Sequence, residues 1–538
     1  MASATTPALD RLLPDRIVGP VRVLLVCALV AAAAVYVVYS IHWPIIWDSA
    51  VMHYVNFLID HGLKPYSEIT DSNMPGAYLT ERWAMRVFGA GDLGWRMFDF
   101  ALLAALTLAS IVITRPYDWL AGFYAGLMFT LLHASEGPNF AAEREQAMTV
   151  LLMIGLACLL SALRLQRPLL MLPFGLALGM ASSIKPTSAP LAILLLLLVA
   201  VLQRQKHFQI AAYLLWGIGG LGLTAAVVLG FLVHYRAIGD FLFVTRSLLP
   251  SYVALRHVPL LTLVRVIIPH NLLLLLPFVL GLAWLRRREH TLERSLLLVG
   301  VAFGAFSYFA QRKGFIYHRY PFVTFLLLWF GLEFATGLRR RGLPRAFAVA
   351  GIALTLFISI PHYLLTMRRA VQVSAIPMSL ALHDDLARLP ETQLQGKVQC
   401  FDLTYGCFSA LYRLGLLQDT GFTGDLLFFS PTDSAAVRYY RAMFWRLAEK
   451  DPADVLVISD QWLQSDDSYN KLNSWPEFVQ YLNGNYSLVL ARRFAPDPDP
   501  PGHILRETDV PQPPAYRIYL RRVSPHFAED RDLLLSQP

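Results

Sequence analysis

Charged and aromatic side chains that could carry out group transfer lie close to the ends of hydrophobic stretches in this sequence. Asp48 stands between Trp47 and Ser49, just after the first stretch. A carboxylate at a membrane surface is costly to keep there, which makes Asp48 a candidate functional residue. Alternatively, Asp48 caps a helix at Ser49–His61, because Asp is a preferred N-cap residue. The sequence leaves both interpretations open.

Further candidate residues lie within a few positions of other hydrophobic stretches. They are Glu143, Arg144, Glu145, Lys185, His234, Lys313, Tyr317 and His318. Single cations such as Arg312 and Arg319 could simply anchor span ends by snorkelling. As a set, however, these carboxylates and cations converge at one depth, and charges near hydrocarbon tend to be kept where they pair or act.

This combination suits transfer of a group from a lipid that carries a phosphate. The leaving group is already an anion, so the reaction needs a carboxylate to accept the proton of the attacking hydroxyl, and cations around the phosphate. The predicted carboxylates are Asp48 and Glu145, the predicted phosphate-binding residues are Arg144, Lys185, Lys313 and His318, and the other candidates are Glu143, Tyr317 and His234.

No motif for a soluble nucleotide is present. The sequence lacks a P-loop and a Rossmann fingerprint, which argues against a soluble nucleotide donor. The acids show no recognisable metal-ligand spacing, so no metal site is predicted. No cofactor is predicted with certainty, and a divalent cation remains compatible with the sequence.

The composition is that of a polytopic membrane protein. Of 538 residues, 56% are hydrophobic and only 16% are charged, whereas soluble proteins have about 25% charged residues. The net charge is +8, but most Lys and Arg residues flank apolar runs and are not interleaved with aromatics. The charge therefore reflects membrane topology, and no nucleic-acid partner is predicted. We interpret Val21–Ser40 as a retained span, since no signal-peptide cleavage site follows it.

Eleven apolar runs predict eleven membrane spans by their length, although the short runs 168–184 and 186–202, separated only by Lys185, could instead form a hairpin that stops near the far interface. The eleven runs lie at 21–40, 97–114, 117–133, 146–163, 168–184, 186–202, 209–233, 262–285, 294–310, 320–337 and 346–366. With the N-terminus in the cytoplasm, every inner loop is basic, as at Arg286–Arg288 and Arg339–Arg341. The outer face then carries the long loop 41–96 and everything after about Met367.

The composition changes after the last run. We predict a membrane domain at 1–372 and an extracytoplasmic α/β domain at 373–538. The predicted strands are Val398–Leu403, Asp454–Ser459, Ser487–Ala491 and Tyr516–Leu520, with a helix at Ser434–Glu449 and a loop at Pro496–Pro501. Cys27 and Cys158 are expected to be core residues, whereas Cys400 and Cys407 could form a disulfide.

Several short motifs resemble the GT-C glycosyltransferases. They are the acid after the first span, Arg144-Glu145-Gln146, Ile184-Lys185-Pro186 and the segment Lys313–Pro321. The bacterial branch similar to protein mannosyltransferases and lipid A aminoarabinose transferases matches best. The resemblance implies a polyprenyl-phosphate sugar donor, Asp48 as catalytic base, Glu145 as second acid, and amphipathic outer-loop helices over the site. Protein mannosyltransferases usually have an Asp-Glu pair where this chain has Asp48-Ser49, which argues against a protein acceptor.

The leading hypothesis is an inverting glycosyltransferase of the bacterial cytoplasmic membrane. Its partners would be a polyprenyl-phosphate sugar, membrane lipid, and a glycan or glycolipid acceptor outside the cytoplasm. Two alternatives stay open: a transporter or flippase of a lipid-linked or anionic substrate, and a polysaccharide polymerase or ligase of another membrane fold. The C-terminal domain is expected to contribute no catalytic residue, and the membrane part alone is expected to bind donor.

Overall fold

The computed structural model shows a helical membrane part followed by a smaller α/β part. It describes residues 13–202, 207–255, 257–289, 291–372, 374, 376–402, 406–460, 469–494 and 515–536. The predicted loop Pro496–Pro501 and the last residue of the predicted strand Val398–Leu403 lie outside the described residues.

The membrane part consists of α-helices joined by loops and short turns. Its helices are α1 (Val18–Ser40), α2 (Trp47–Asp60), α3 (Pro75–Phe88), α4 (Asp92–Thr114), α5 (Trp119–Glu136), α6 (Arg144–Leu165), α7 (Met171–Ile184), α8 (Ala189–Leu202), α9 (His207–His234), α10 (Ile238–Phe243), α11 (Leu249–Ala254), α12 (Leu260–Ile267), α13 (His270–Leu285), α14 (Leu292–Gln311), α15 (Tyr320–Leu338), α16 (Leu343–Leu354) and α17 (Ile360–Gln372). The long outer loop 41–96 thus contains α2, α3 and the first turn of α4.

All eleven predicted runs form helices, and the chain is a polytopic helical membrane protein. Among the described residues, seven helical segments are long and apolar enough to span a membrane, or eight if the bent pair α12 and α13 is one span. That pair bends by 72° at Pro269, where a missing backbone N–H interrupts the helix. The runs that form α5, α7 and α8 are not in this set, so the number of eleven spans stays a prediction.

The C-terminal part contains the four predicted strands in one sheet. The strands are β1 (Val398–Phe401), β2 (Val455–Ser459), β3 (Tyr486–Arg493) and β4 (Ala515–Arg521), and the helices are α18 (Ile376–Leu386), α19 (Glu391–Leu394), α20 (Cys407–Leu414), α21 (Ala435–Lys450), α22 (Pro476–Asn485) and α23 (Phe527–Leu535). The sheet order is β1-β2-β4-β3, with β1 and β2 parallel and the other pairs antiparallel. Ser434 caps the predicted helix by accepting from the Val437 N–H at 3.2 Å.

The structure contains the disulfide that the sequence allowed, but it does not place both remaining cysteines in the core. Cys400 and Cys407 form a disulfide between β1 and the start of α20. Cys158 is partly buried, but Cys27 is exposed on the surface of α1. The expectation that Cys27 is a core residue was wrong because an apolar run in a membrane helix shows the same composition on its lipid-facing side and on its packed side.

The C-terminal part and the outer loop share one hydrophobic core. Tyr54 and Leu58 of α2 and Tyr78 of α3 are buried in the same cluster as Phe408 and Phe428. The Tyr54 hydroxyl donates to the Leu416 carbonyl at 3.0 Å. The boundary near residue 372 is therefore crossed by continuous packing, and α2 rests on the C-terminal part as well as on the membrane helices.

Candidate active site

Asp48 lies in the first turn of α2, and its side chain does not cap this helix. Ile46 is the N-cap residue and no side chain caps this helix, so the interpretation of Asp48 as a cap is wrong. Its Oδ2 instead accepts from Arg144 Nη2 at 2.7 Å and from the Tyr317 hydroxyl at 3.4 Å. The Asp48 side chain is 18% exposed, so this carboxylate is held in place while one edge remains accessible.

Arg144 is the first residue of α6, where its backbone N–H faces the carboxylate of the N-cap residue Glu143 at 3.2 Å. An acidic cap here is favoured because a helix N-terminus attracts negative charge. The Arg144 guanidinium then extends to Asp48 and also donates to Asn73 Oδ1. One arginine thus joins α6 to α2, through Asp48, and to the segment before α3, through Asn73.

Asn73 contacts the site, although no pattern in the sequence selects it. Its Nδ2 donates to both oxygens of Asp71, at 2.9 and 2.8 Å, while the Tyr78 hydroxyl donates to Asp71 at 2.8 Å. Asp71 therefore fixes the Asn73 amide with its oxygen toward Arg144. A single Asn in a polar loop has no local signal, so only the folded structure could reveal this contact.

A second buried pair fixes α2 on α3. His53 Nδ1 lies 2.7 Å from Glu81 Oε1, and both side chains are buried. Burial raises the pKa of Glu81, and the charge of His53 opposes that rise. This contact holds the helix that carries Asp48 against its neighbour in the outer loop.

Glu145, Lys185 and His318 form a second group beside the first. Lys185 donates to Glu145 Oε1, and His318 Nε2 lies 3.4 Å from the same oxygen. The Lys185 ammonium also lies 6.0 Å from the centre of the Tyr317 ring, within reach of a cation–π attraction. Because Glu145 follows Arg144 and His318 follows Tyr317, the two groups form one continuous site.

Glu143 is one of several residues of the site whose ionisation is shifted by burial, Lys185 among them. Burial, and next the negative charge of Asp48, raise the pKa of Glu143 to about 8, although Arg144 opposes this rise. Among the described residues, Glu143 Oε1, Glu145 Oε2 and His318 Nδ1 are buried without a hydrogen-bond partner. Buried polar atoms are costly when unpaired, so the site has capacity for further polar contacts.

Two predicted residues do not join the carboxylates. Lys313 is buried and donates to the carbonyls of Tyr252 and Val253, at 2.9 and 2.8 Å, so its ammonium holds the end of α11. His234 is exposed at the end of α9 and contacts the ring of Tyr235. Sequence position near a span end could not show where these two side chains point.

The described part of the chain contains no group of three or more His, Cys, Asp or Glu side chains arranged to hold a metal ion. Asp48 pairs with Arg144, and Glu145 pairs with Lys185. The positive charges next to these acids therefore come from the chain itself.

The fold of this chain is similar to that of solved membrane proteins. No family model and no curated protein matches the sequence. The archaeal oligosaccharyltransferase AglB from Archaeoglobus fulgidus, solved with an inhibitory peptide and a dolichol-phosphate, is 12% identical, with 88% of this chain and 73% of that chain covered and a TM-score of 0.50. ArnT from Cupriavidus metallidurans bound to undecaprenyl phosphate is also 12% identical, with 91% and 97% covered and a TM-score of 0.49.

The identities are low, so these likenesses concern architecture and leave activity to be argued from the site. The long polytopic helical part and the alignment over most of both chains agree with the architecture that the motifs around Asp48, Arg144 and Lys185 indicated. The chain therefore has a fold like that of AglB, as the resemblance of its motifs to the GT-C glycosyltransferases implied, and is a multi-pass membrane protein.

Proposed function

We propose that this chain is an inverting glycosyltransferase that moves a sugar from a polyprenyl-phosphate donor to a glycan or glycolipid. The observation that carries the proposal is the contact of Asp48 with Arg144 and Tyr317, beside the group of Glu145, Lys185 and His318. An accessible carboxylate next to fixed cations is the arrangement that transfer from a lipid phosphate needs.

In the proposed reaction Asp48 is the general base. The acceptor oxygen attacks the anomeric carbon while its proton passes to Asp48, and the bond between that carbon and the phosphate oxygen breaks. The electron pair of this bond leaves with the polyprenyl phosphate. Attack opposite the leaving group inverts the anomeric centre. No general acid is needed because the departing phosphate is a stable anion.

The cations would stabilise the departing phosphate. Arg144 can offer a planar pair of donors, and Lys185 and His318 can offer further positive charge or hydrogen bonds. Glu145 is the second acid, and we assign it the role of orienting Lys185 and His318. Lys313 remains a predicted phosphate-binding residue and His234 a further candidate of unassigned role. Lys313 would have to release two carbonyl groups to reach a phosphate.

The donor class is also supported by the fold comparison, since AglB was solved with a dolichol-phosphate. A lipid-linked donor can enter from the bilayer, which suits a site at the ends of membrane helices. We propose that the protein lies in the bacterial cytoplasmic membrane with its N-terminus in the cytoplasm and its site and C-terminal domain outside.

Donor turnover tests this function. The purified protein in lipid nanodiscs is incubated with a polyprenyl-phosphate sugar and extracted glycolipids, and release of polyprenyl phosphate and transfer of labelled sugar are measured. We expect both products from the wild-type protein. In proteoliposomes, movement of intact donor across the bilayer without cleavage would instead favour the flippase.

A further inference from the structure

A buried network of polar side chains lies beside the site, and none of its residues has a role in the proposed reaction. Its centre is Asp99 of α4, whose side chain is fully buried. The Asp99 carboxylate accepts from the Tyr36 hydroxyl at 2.7 Å, from Arg96 Nη2 at 2.9 Å and from the backbone N–H of Ala142 at 2.9 Å. His133 Nε2 lies 3.0 Å from the same carboxylate. Four chain segments thus meet at one carboxylate.

The network continues through His133 to the opposite side of the site. His133 Nδ1 lies 2.9 Å from the Tyr320 hydroxyl. That hydroxyl donates to Glu136 at 2.5 Å, and Arg319 donates to the other oxygen of Glu136 at 3.1 Å. His133 is therefore the only described residue that bridges Asp99 and Tyr320 directly.

Both ends of this network touch segments that carry the candidate site. Ala142 directly precedes Glu143, Arg144 and Glu145, and Tyr320 follows His318 by two positions. Ala142 has a φ of +51°, a left-handed conformation that an alanine rarely adopts. The hydrogen bond from its N–H to Asp99 helps to hold this conformation. It thereby helps to set the direction of the backbone at Glu143 and the start of α6.

We propose that Asp99 and His133 are positioning residues, which keep the segment of Arg144 in register with the segment of His318. The inference rests on the proposed transfer reaction. Neither residue touches the predicted reacting groups, but a displacement of about 1 Å in a catalytic constellation can cost about 10²-fold in rate. Arg96 and Glu136 make further hydrogen bonds, to Asp99 and to Tyr320 respectively, but neither of them connects these two residues, so the connection between them runs through His133.

Variants of His133 and Tyr320 test the positioning role. His133→Leu and Tyr320→Phe remove the bridge, and we expect kcat to fall about 10- to 100-fold while KM for the donor changes less than threefold. His133→Gln keeps a donor for Asp99 but has no second nitrogen to donate to the Tyr320 oxygen, whose own proton goes to Glu136, so it should recover only part of the rate. The matched control is Tyr124→Phe, which removes a buried hydrogen bond to Thr355 from the same helix, α5, away from the network.

A second measurement does not depend on turnover. Hydrogen–deuterium exchange of peptides covering 139–147 and 315–322 should increase in His133→Leu relative to wild type, and should stay unchanged in Tyr124→Phe. Absence of turnover in the wild type would contradict the proposed function alone. Unchanged exchange in both peptides of His133→Leu, or equal loss of kcat in Tyr124→Phe and Tyr320→Phe, would overturn the positioning role.

Discussion

Asp48 and Arg144 lie 96 positions apart in the chain and meet with 2.7 Å between Oδ2 and Nη2. The contact joins the outer-loop helix α2 to the start of α6. The same guanidinium also donates to Asn73, so its two terminal nitrogens contact two different side chains. A lysine has a single ammonium on a flexible stem and cannot reproduce both contacts with fixed geometry.

Arg144→Lys should therefore lower kcat for transfer about 10-fold or more, although the positive charge is kept. The control is Arg164→Lys at the other end of α6, where the guanidinium contacts Glu293 and two backbone carbonyls. Steady-state kinetics in nanodiscs provide the measurement. Equal effects of the two substitutions would show that Arg144 acts on stability alone.

Lys185→Met should weaken use of the donor more than use of the acceptor. The substitution keeps most of the length of the side chain and removes the amino group that pairs with Glu145, so KM for the polyprenyl-phosphate sugar should rise at least several-fold. His318→Ala should act in the same direction. Binding of polyprenyl phosphate, measured by displacement of a labelled analogue, checks this prediction. Unchanged affinity would assign Lys185 to interfacial anchoring.

The C-terminal part should be needed for the donor site, which revises the expectation from the sequence. The Thr70 N–H donates to the Gly421 carbonyl at 2.9 Å, and the Thr423 hydroxyl donates to Thr70 at 3.0 Å. Thr70 directly precedes Asp71, which fixes Asn73. A chain that ends near residue 372 would lose this contact and expose the apolar face of α2, so we expect it to lose donor binding.

Gly421→Ala tests this contact in the full chain. A Cβ at Gly421 would lie 1.9 Å from the carbonyl oxygen of Glu68, whereas a Cβ at Gly484 would meet nothing within 4 Å. We expect Gly421→Ala to lower kcat several-fold and Gly484→Ala to leave it unchanged. Wild-type rates in Gly421→Ala would indicate that the C-terminal part acts independently of the site.

Glu143 should make stability depend on pH. Its pKa is raised to about 8 in the folded protein, so between its usual range near 4.5 and 8 the folded state binds more protons than the unfolded state. The stability that this carboxyl contributes is present at low pH and is lost as pH rises through that window. The thermal midpoint of wild type should fall from pH 5 to pH 8, and Glu143→Gln should flatten the decline. An equal slope in both proteins would contradict the prediction.

The structure brings five of the predicted site residues together, while their roles stay predictions. Asp48, Arg144, Glu145, Lys185 and His318 were selected because each charge lies at the end of an apolar run, and such charges are rarely neutral to function. Their pairing could not be predicted, since it depends on the register of α2 against α6. The hydrogen bonds of Lys313 to the end of α11 and the exposure of His234 likewise depend on tertiary packing, which sequence position alone does not indicate.

Other groups were missed for a different reason. Asp99 and His133 lie inside apolar runs, and an ionisable residue there was itself a usable signal. Asn73 had none, because an amide in a polar loop has many ordinary uses. The shared core of α2 with the C-terminal part was also unpredictable, since both surfaces read as ordinary amphipathic elements when considered separately.

The central claim is that Asp48 is the base of a polyprenyl-phosphate-dependent transfer, and Asp48→Asn tests it most directly. Asn keeps the size of the side chain and can still accept from Arg144, but it cannot take the proton of the acceptor. Asp60→Asn, at the far end of the same helix and paired with Arg82, is the matched control. In single-turnover assays with saturating donor, we expect Asp48→Asn to bind polyprenyl phosphate normally and to transfer sugar about 10²-fold more slowly or worse, while Asp60→Asn transfers at the wild-type rate. Transfer by Asp48→Asn at the rate of Asp60→Asn would contradict the account.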